Sequence, residues 1–173
     1  MPPGKKEIRF TSQLVRLESG PRYHVLRVPE EIAARWKAAK VRRVTGTING
    51  CPVNRGLQHH AGGGSFLVLG RDLLKTIGLN RRSIATLVLA PDPVPDEFAV
   101  PEELLLALEH DERARVRWES FPPGRRRSLV HYVTSAKQES TRIKRALELT
   151  AKIREHRLYG DRPKTKKTTA REE

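Results

Sequence analysis

The stretch that most limits what this chain can become is Pro91 to Pro101, PDPVPDEFAVP, with four prolines and three acids. Proline fixes φ and offers no amide donor, so a run this dense continues neither a central strand nor a helix interior. It is expected to be a linker. On either side of it the hydrophobic period changes, from two before it to helical after it.

Before the linker, IRFTSQLVRL alternates apolar and polar residues as a half-buried strand does, and GPRYHVLRV is a second strand. Tyr23, Val25 and Arg27 share one face of that second strand. PEEIAARWKAA then opens with Pro29 and two glutamates at the positive end of a short helix, with Ile32 and Trp36 inward. VRRVTGTI is a third strand, and Asn49-Gly50 is the strongest hairpin-turn signal in the chain. SFLVLG and SIATLVLA are further strands, separated by a short helix, RDLLKTIG, that Gly78 can terminate. YHVLRVPEEIAARW and SFLVLGRDLLKTIG each run from an apolar strand into a helix, a strand–helix pseudo-repeat compatible with a barrel of two related halves.

After the linker the pattern is helical throughout. PEELLLALEHD carries Leu104, Leu105 and Leu108, DERARVRWESF spaces Ala114 and Trp118 four apart, and PPGRRRSLVHYVTSAK turns Leu129, Val130 and Val133 inward. ESTRIKRALELTAKIREHRLYG sets Ile143, Leu147 and Ile153 between basic residues. DRPKTKKTTAREE has no apolar anchor and is expected to be disordered.

These residues resemble two known families. RVPEEIAARWK, VTGTINGCPVNRGL and SFLVLGRDLLKTIGL resemble the bacterial domain-of-unknown-function family 1905. The later stretch from VPEELLLALEHD through the arginine cluster, YVTSAK and STR resembles the bacteriocin-protection, YdeI or OmpD-associated domain. The resemblance implies a small double-split β-barrel followed by a helical module, in a tandem that bacterial proteins use. The chain departs from the first family at Arg81-Arg82, where Gly-Asp is usual, and from the second at Ser140-Thr141-Arg142, where Glu-Thr-Arg is usual. Neither resemblance implies an activity. The expected architecture is therefore α+β: a tail at 1–9, a barrel at 10–90, a linker at 91–100, a helical domain at 101–160 and a basic tail at 161–173.

Charge then narrows the partners. The formal charge is +14, and residues 1–95 hold 16 Lys+Arg against 6 Asp+Glu. Such a surface favours nucleic acid or another polyanion. The candidate anion-binding residues are Arg42, Arg43, Arg55, Arg71, Arg81, Arg82, Arg125, Arg126 and Arg127, joined by Lys164, Lys166 and Lys167 of the tail. Aromatic residues are few, and Tyr23, Trp36 and Phe66 are expected in the core, so backbone contact without sequence specificity is the expected mode.

The run NGCPVNRGLQHHAGGGSFLVLGR holds the single cysteine, two adjacent histidines and three glycines. A zinc site would need ligands at short repeated spacings, and adjacent histidines on an extended chain point apart. A nucleophile at Cys51 lacks an orienting acid, and its place after the turn and before Pro52 suits an edge strand. The glycines lead into a strand rather than a helix, unlike a phosphate loop. No catalytic residue, metal site or cofactor is expected, and the run is expected to be a hairpin and a barrel-mouth loop. An alternative function is a sensor of a small anionic molecule or peptide at the barrel mouth, with the loop from Gln58 to Gly64 as its lid and Arg71 holding the anion. In the helical half, Arg126 and Arg142 are expected to brace helices through Glu119 or Glu139. One cysteine, no leader and no apolar run of membrane length point to the cytoplasm. Self-association into a homo-oligomer is left open.

Overall fold

The computed structural model describes residues 6–17, 23–60 and 63–161. The chain forms two compact units that divide between Pro95 and Asp96. The first contains strands β1 (Ile8–Arg16) and β2 (His24–Val28), helix α1 (Glu30–Ala38), strands β3 (Arg43–Ile48), β4 (Cys51–His59) and β5 (Ser65–Leu69), helix α2 (Arg71–Ile77) and strand β6 (Ile84–Pro91). All pairings are antiparallel, and the strands close into a barrel in the order β1-β2-β5-β4-β3-β6. Closure leaves open edges only along strand segments that pair on one side, such as residues 8–13 of β1 and 51–56 of β4.

The barrel has an internal two-fold logic. Exchanging β1-β2-α1-β3 with β4-β5-α2-β6 leaves the ring order unchanged. Strands β1 and β4 each serve two sheets: residues 8–13 of β1 pair with β6 and 14–16 with β2, while residues 51–56 of β4 pair with β3 and 57–59 with β5. The pseudo-repeat legible in YHVLRVPEEIAARW and SFLVLGRDLLKTIG is therefore a topological repeat as well.

The core follows from the register. Leu14 faces Leu26, Leu26 faces Leu67 and Leu67 faces Leu57, so one leucine from each of four strands forms a row across the barrel wall. All four are buried. Burial of each such side chain is worth about 1.5–3 kcal/mol relative to exposure. Trp36 of α1 and Ile77 of α2 pack against the same core. Asn49 and Gly50, both at positive φ, form the two-residue turn joining Ile48 to Cys51. Gly46 has no substitute, because a Cβ there would lie 2.0 Å from the carbonyl oxygen of Val88 on β6.

The second unit is helical: α3 (Glu102–Glu109), α4 (Glu112–Glu119), α5 (Pro123–Thr134) and α6 (Glu139–Arg154). Its separate core joins Leu104, Leu108, Trp118, Val133, Ala146 and Ile153. Asp111 caps α4 through its side chain, accepting from the Ala114 amide at 3.0 Å.

Several positions differ from expectation. The N-terminal tail is shorter than 1–9, since β1 begins at Ile8, and Pro91 ends β6 opposite Val44 rather than starting the linker. Tyr23 is 49% exposed and Phe66 half-buried, because both face outward from the barrel wall. Only Trp36 of the three expected core aromatics is in the core. Ile143 and Leu147 are exposed; α6 instead buries Ala146, Leu149, Thr150 and Ile153. Leu105 is exposed too, and the inward face of α3 is Leu104, Ala107 and Leu108.

Candidate functional site

Six of the nine candidate arginines belong to the barrel unit and three to the helical unit. Arg43 is consumed locally: its Nε and one terminal nitrogen donate to the Asn54 side chain at 2.9 and 2.6 Å, with Asp92 4.0 Å away. Arg42 is exposed, with its carbonyl accepting from the Leu57 amide. Arg55 lies opposite Val44 on β4, half-buried, and burial lowers its pKa. Arg71 begins α2, exposed, and is not among the residues lining the two clefts described below.

The cluster Arg125 to Arg127 meets aromatic rings and a carboxylate inside the helical unit, and Arg126 lines a shallow cleft with residues 96–100. Arg125 stacks over the Phe121 ring at 4.3 Å and reaches Asp161 at 3.0 Å. Arg117 approaches the same ring at 5.2 Å, and the same carboxylate at 2.6 Å. Arg127 lies over Phe98 at 4.9 Å, and Arg126 lies 5.8 Å from that ring with its Nε buried and unpartnered. Asp161 also accepts from the Leu158 amide at 2.7 Å, so it belongs to the helical unit and not to a tail. Burial by itself would raise its pKa; the hydrogen bonds from Arg117, Leu158 and Arg125 outweigh that and hold it at about 2. The brace at Arg142 goes to Glu103 of α3 at 2.7 Å, not to Glu119 or Glu139, and that bond keeps the Glu103 carboxyl below its ordinary range. Arg126 takes part in neither expected pair. Lys164, Lys166 and Lys167 lie outside the described residues.

Arg81 and Arg82 are different. They sit in the exposed turn between α2 and β6, where Arg82 adopts φ 67° and its carbonyl accepts from the Gln13 side chain at 3.3 Å. That turn borders a cleft of about 600 Å3 lined by Gln13, Leu14, Val15, Arg16, Leu17, His24, Arg81 and Arg82. Arg16 and His24 are cross-strand partners on β1 and β2. Three arginines and a histidine thus surround a cleft whose described lining includes no carboxylate. The turn is extra to the pseudo-symmetric barrel. Arg42 and Ser83 are equivalents, their carbonyls accepting from Leu57 and Leu14, yet Asn80-Arg81-Arg82 has no counterpart between Val41 and Arg42.

Sequence reasoning missed Arg16 and did not place His24 beside it in an anion site. Each lies near the end of an alternating strand, a pattern that cannot by itself say which other element comes alongside. The departure from Gly-Asp to Arg81-Arg82 was the one available signal.

The residues of NGCPVNRGLQHHAGGGSFLVLGR are dispersed. Cys51 is half-buried and packs against the barrel core. Its strand segment has β3 on one side only, which explains why Pro52 is tolerated. Gln58 and His59 belong to β4, so the connection to β5 starts at His60, shorter than expected; Ala61 and Gly62 within it lie outside the described residues. His59 Nδ1 and Ser65 Oγ share a hydrogen bond of 2.8 Å. Among the described residues no three His, Cys, Asp or Glu side chains converge to hold a metal. Among them, too, no helix is long and apolar enough to cross a membrane.

Two family profiles match the chain. The one described as Domain of unknown function (DUF1905) covers residues 10–89, and the one described as Bacteriocin-protection, YdeI or OmpD-Associated covers residues 97–156. No curated protein and no solved structure matches.

Proposed function

We propose that the barrel of this tandem, the DUF1905 domain that precedes the bacteriocin-protection, YdeI or OmpD-associated helical domain, is a non-enzymatic binding module that holds nucleic acid, or another polyanion, electrostatically. One observation carries this: the cleft of Arg16, His24, Arg81 and Arg82, with no carboxylate in its described lining. Each guanidinium that meets a phosphate releases condensed counterions, which supplies affinity without reading sequence. A binding role is preferred to a catalytic one because Cys51 packs against the core and His59 is engaged by Ser65.

The test is fluorescence anisotropy with unrelated oligonucleotides of equal length, titrated at low and moderate salt. Affinity is expected to fall steeply with salt and to differ little between sequences. Replacing Arg81 and Arg82 by glutamine is expected to weaken binding to every sequence and to reduce the salt slope by about 1 for each phosphate left without its guanidinium. Absence of binding at low salt, or binding indifferent to salt, sinks the proposal.

A further inference from the structure

A second cleft shares Val15, Arg16 and Leu17 with the first, and its chemistry is different. Its volume is about 1010 Å3, and its lining includes Val15, Val25, Phe66, Arg16, Arg27 and Glu30. That volume exceeds what an inorganic anion needs and suits an organic ligand, since ligand pockets typically run from about 300 to 1,000 Å3.

The strand register explains why this face is apolar. Val15 faces Val25, and Val25 faces Val68, in a row across β1, β2 and β5. These residues alternate with the inward leucines, so they line the outer surface of the wall. Val25 has no exposed surface, yet it is not part of the barrel core. Phe66 extends the patch and faces Arg27 across β2 and β5. An outward sheet face normally carries polar residues; this one is a valine row beside a phenylalanine.

Its charge is one-sided. Arg27 is exposed and Arg16 stands at the rim shared with the first cleft, while Glu30 is the one carboxylate in the described lining. Neither guanidinium has a hydrogen-bonding or ion-pairing partner among the described residues. A second copy of the chain would bring the same arginines against each other, which argues against self-association here. A guanidinium beside an apolar floor matches a molecule with an anionic head and a hydrocarbon or aryl body, because the planar fork binds a carboxylate or phosphate bidentately.

We infer that this cleft binds a small amphiphilic anion, its apolar body on Val15 and Phe66 and its acid head on Arg27 and Arg16. The site is separate from the Arg81–Arg82 cleft apart from the shared rim at Val15, Arg16 and Leu17.

The test uses the full chain and three probes: 8-anilinonaphthalene-1-sulfonate, decanoate and decanol. The sulfonate is expected to gain fluorescence saturably with one site per chain. Decanoate is expected to displace it at least tenfold more effectively than decanol. Arg27→Gln is expected to weaken the sulfonate and decanoate by about tenfold and to leave decanol unchanged. Phe66→Ser is expected to weaken all three, with circular dichroism confirming that both variants fold. Arg81→Gln leaves the probes unaffected while weakening oligonucleotide binding, so the two sites fail or stand separately. Equal competition by decanol and decanoate overturns the anionic part. Unsaturable fluorescence, or full binding by both Arg27→Gln and Phe66→Ser, overturns the site.

Discussion

At the residue scale, the two halves of the barrel solve the same problem with different side chains. Helix α2 ends on Gly78 at φ 69°, and the Leu79 amide reaches back to the Leu74 carbonyl at 3.0 Å. Helix α1 closes in the same way, Val41 amide to Trp36 carbonyl at 2.9 Å, but Lys40 occupies the left-handed position at φ 54°. A Cβ there crowds the following carbonyl, a cost glycine avoids. Lys40→Gly is therefore expected to stabilise the barrel by about 0.5–1 kcal/mol, read as a higher urea midpoint with unchanged slope. A lower midpoint would show that the lysine side chain contributes more than the strain costs. The Gly78 terminator was legible in the sequence because glycine after a helix signals its end. The Lys40 terminator was not, since lysine carries no such signal and only the backbone shows its φ.

At the scale of elements, Asp161 ties the segment after α6 to α4 and α5 through Arg117 and Arg125. Its side chain is 7% exposed. With a folded-state pKa of about 2 against an ordinary 3.8, its contribution is complete above about pH 5 and is lost as pH falls towards 2. Asp161→Asn is expected to cost the helical unit about 2–4 kcal/mol at pH 7, because two partly buried guanidinium groups lose their shared anion. Urea unfolding between pH 5 and pH 2 should lose stability less steeply in the variant than in the parent. An equal pH dependence would place the acid sensitivity on Glu103 and Glu155, whose carboxyls arginines also hold low. The arginine cluster itself was plain in the sequence, but its partners were not. Arg125 and Asp161 are far apart in the chain, and several acids were equally available to a reading by spacing. The stripe of α6 shows the same limit. Of Ile143, Leu147 and Ile153 only Ile153 is buried, and it shares the buried face with Ala146, Leu149 and Thr150.

At the scale of the whole molecule, two cores separated by a proline-rich join predict two cooperative units. Residues 1–95 and 96–173, expressed separately, are each expected to show native-like circular dichroism and a single unfolding transition. Salt-sensitive oligonucleotide binding is expected to stay with residues 1–95, which carry most of the excess charge. Binding that follows the helical fragment instead would move the anion site to α5. By itself the sequence determined the division at the prolines, the strand and helix types, the Asn49-Gly50 hairpin, the repeat and the two family assignments. These rest on local periodicity, backbone restriction and turn chemistry, all of which act over a few neighbouring residues. Only the tertiary structure decided which groups each arginine meets and which arginines border a cleft. Closing the barrel brings the end of β1 beside the Arg81–Arg82 turn and sets Phe66 opposite Arg27, and the register that does so depends on pairing across distant strands. NGCPVNRGLQHHAGGGSFLVLGR already reads in the sequence as a hairpin and a barrel-mouth loop; the tertiary structure adds that Cys51 packs against the core, that Gln58 and His59 belong to β4, and that His59 meets Ser65.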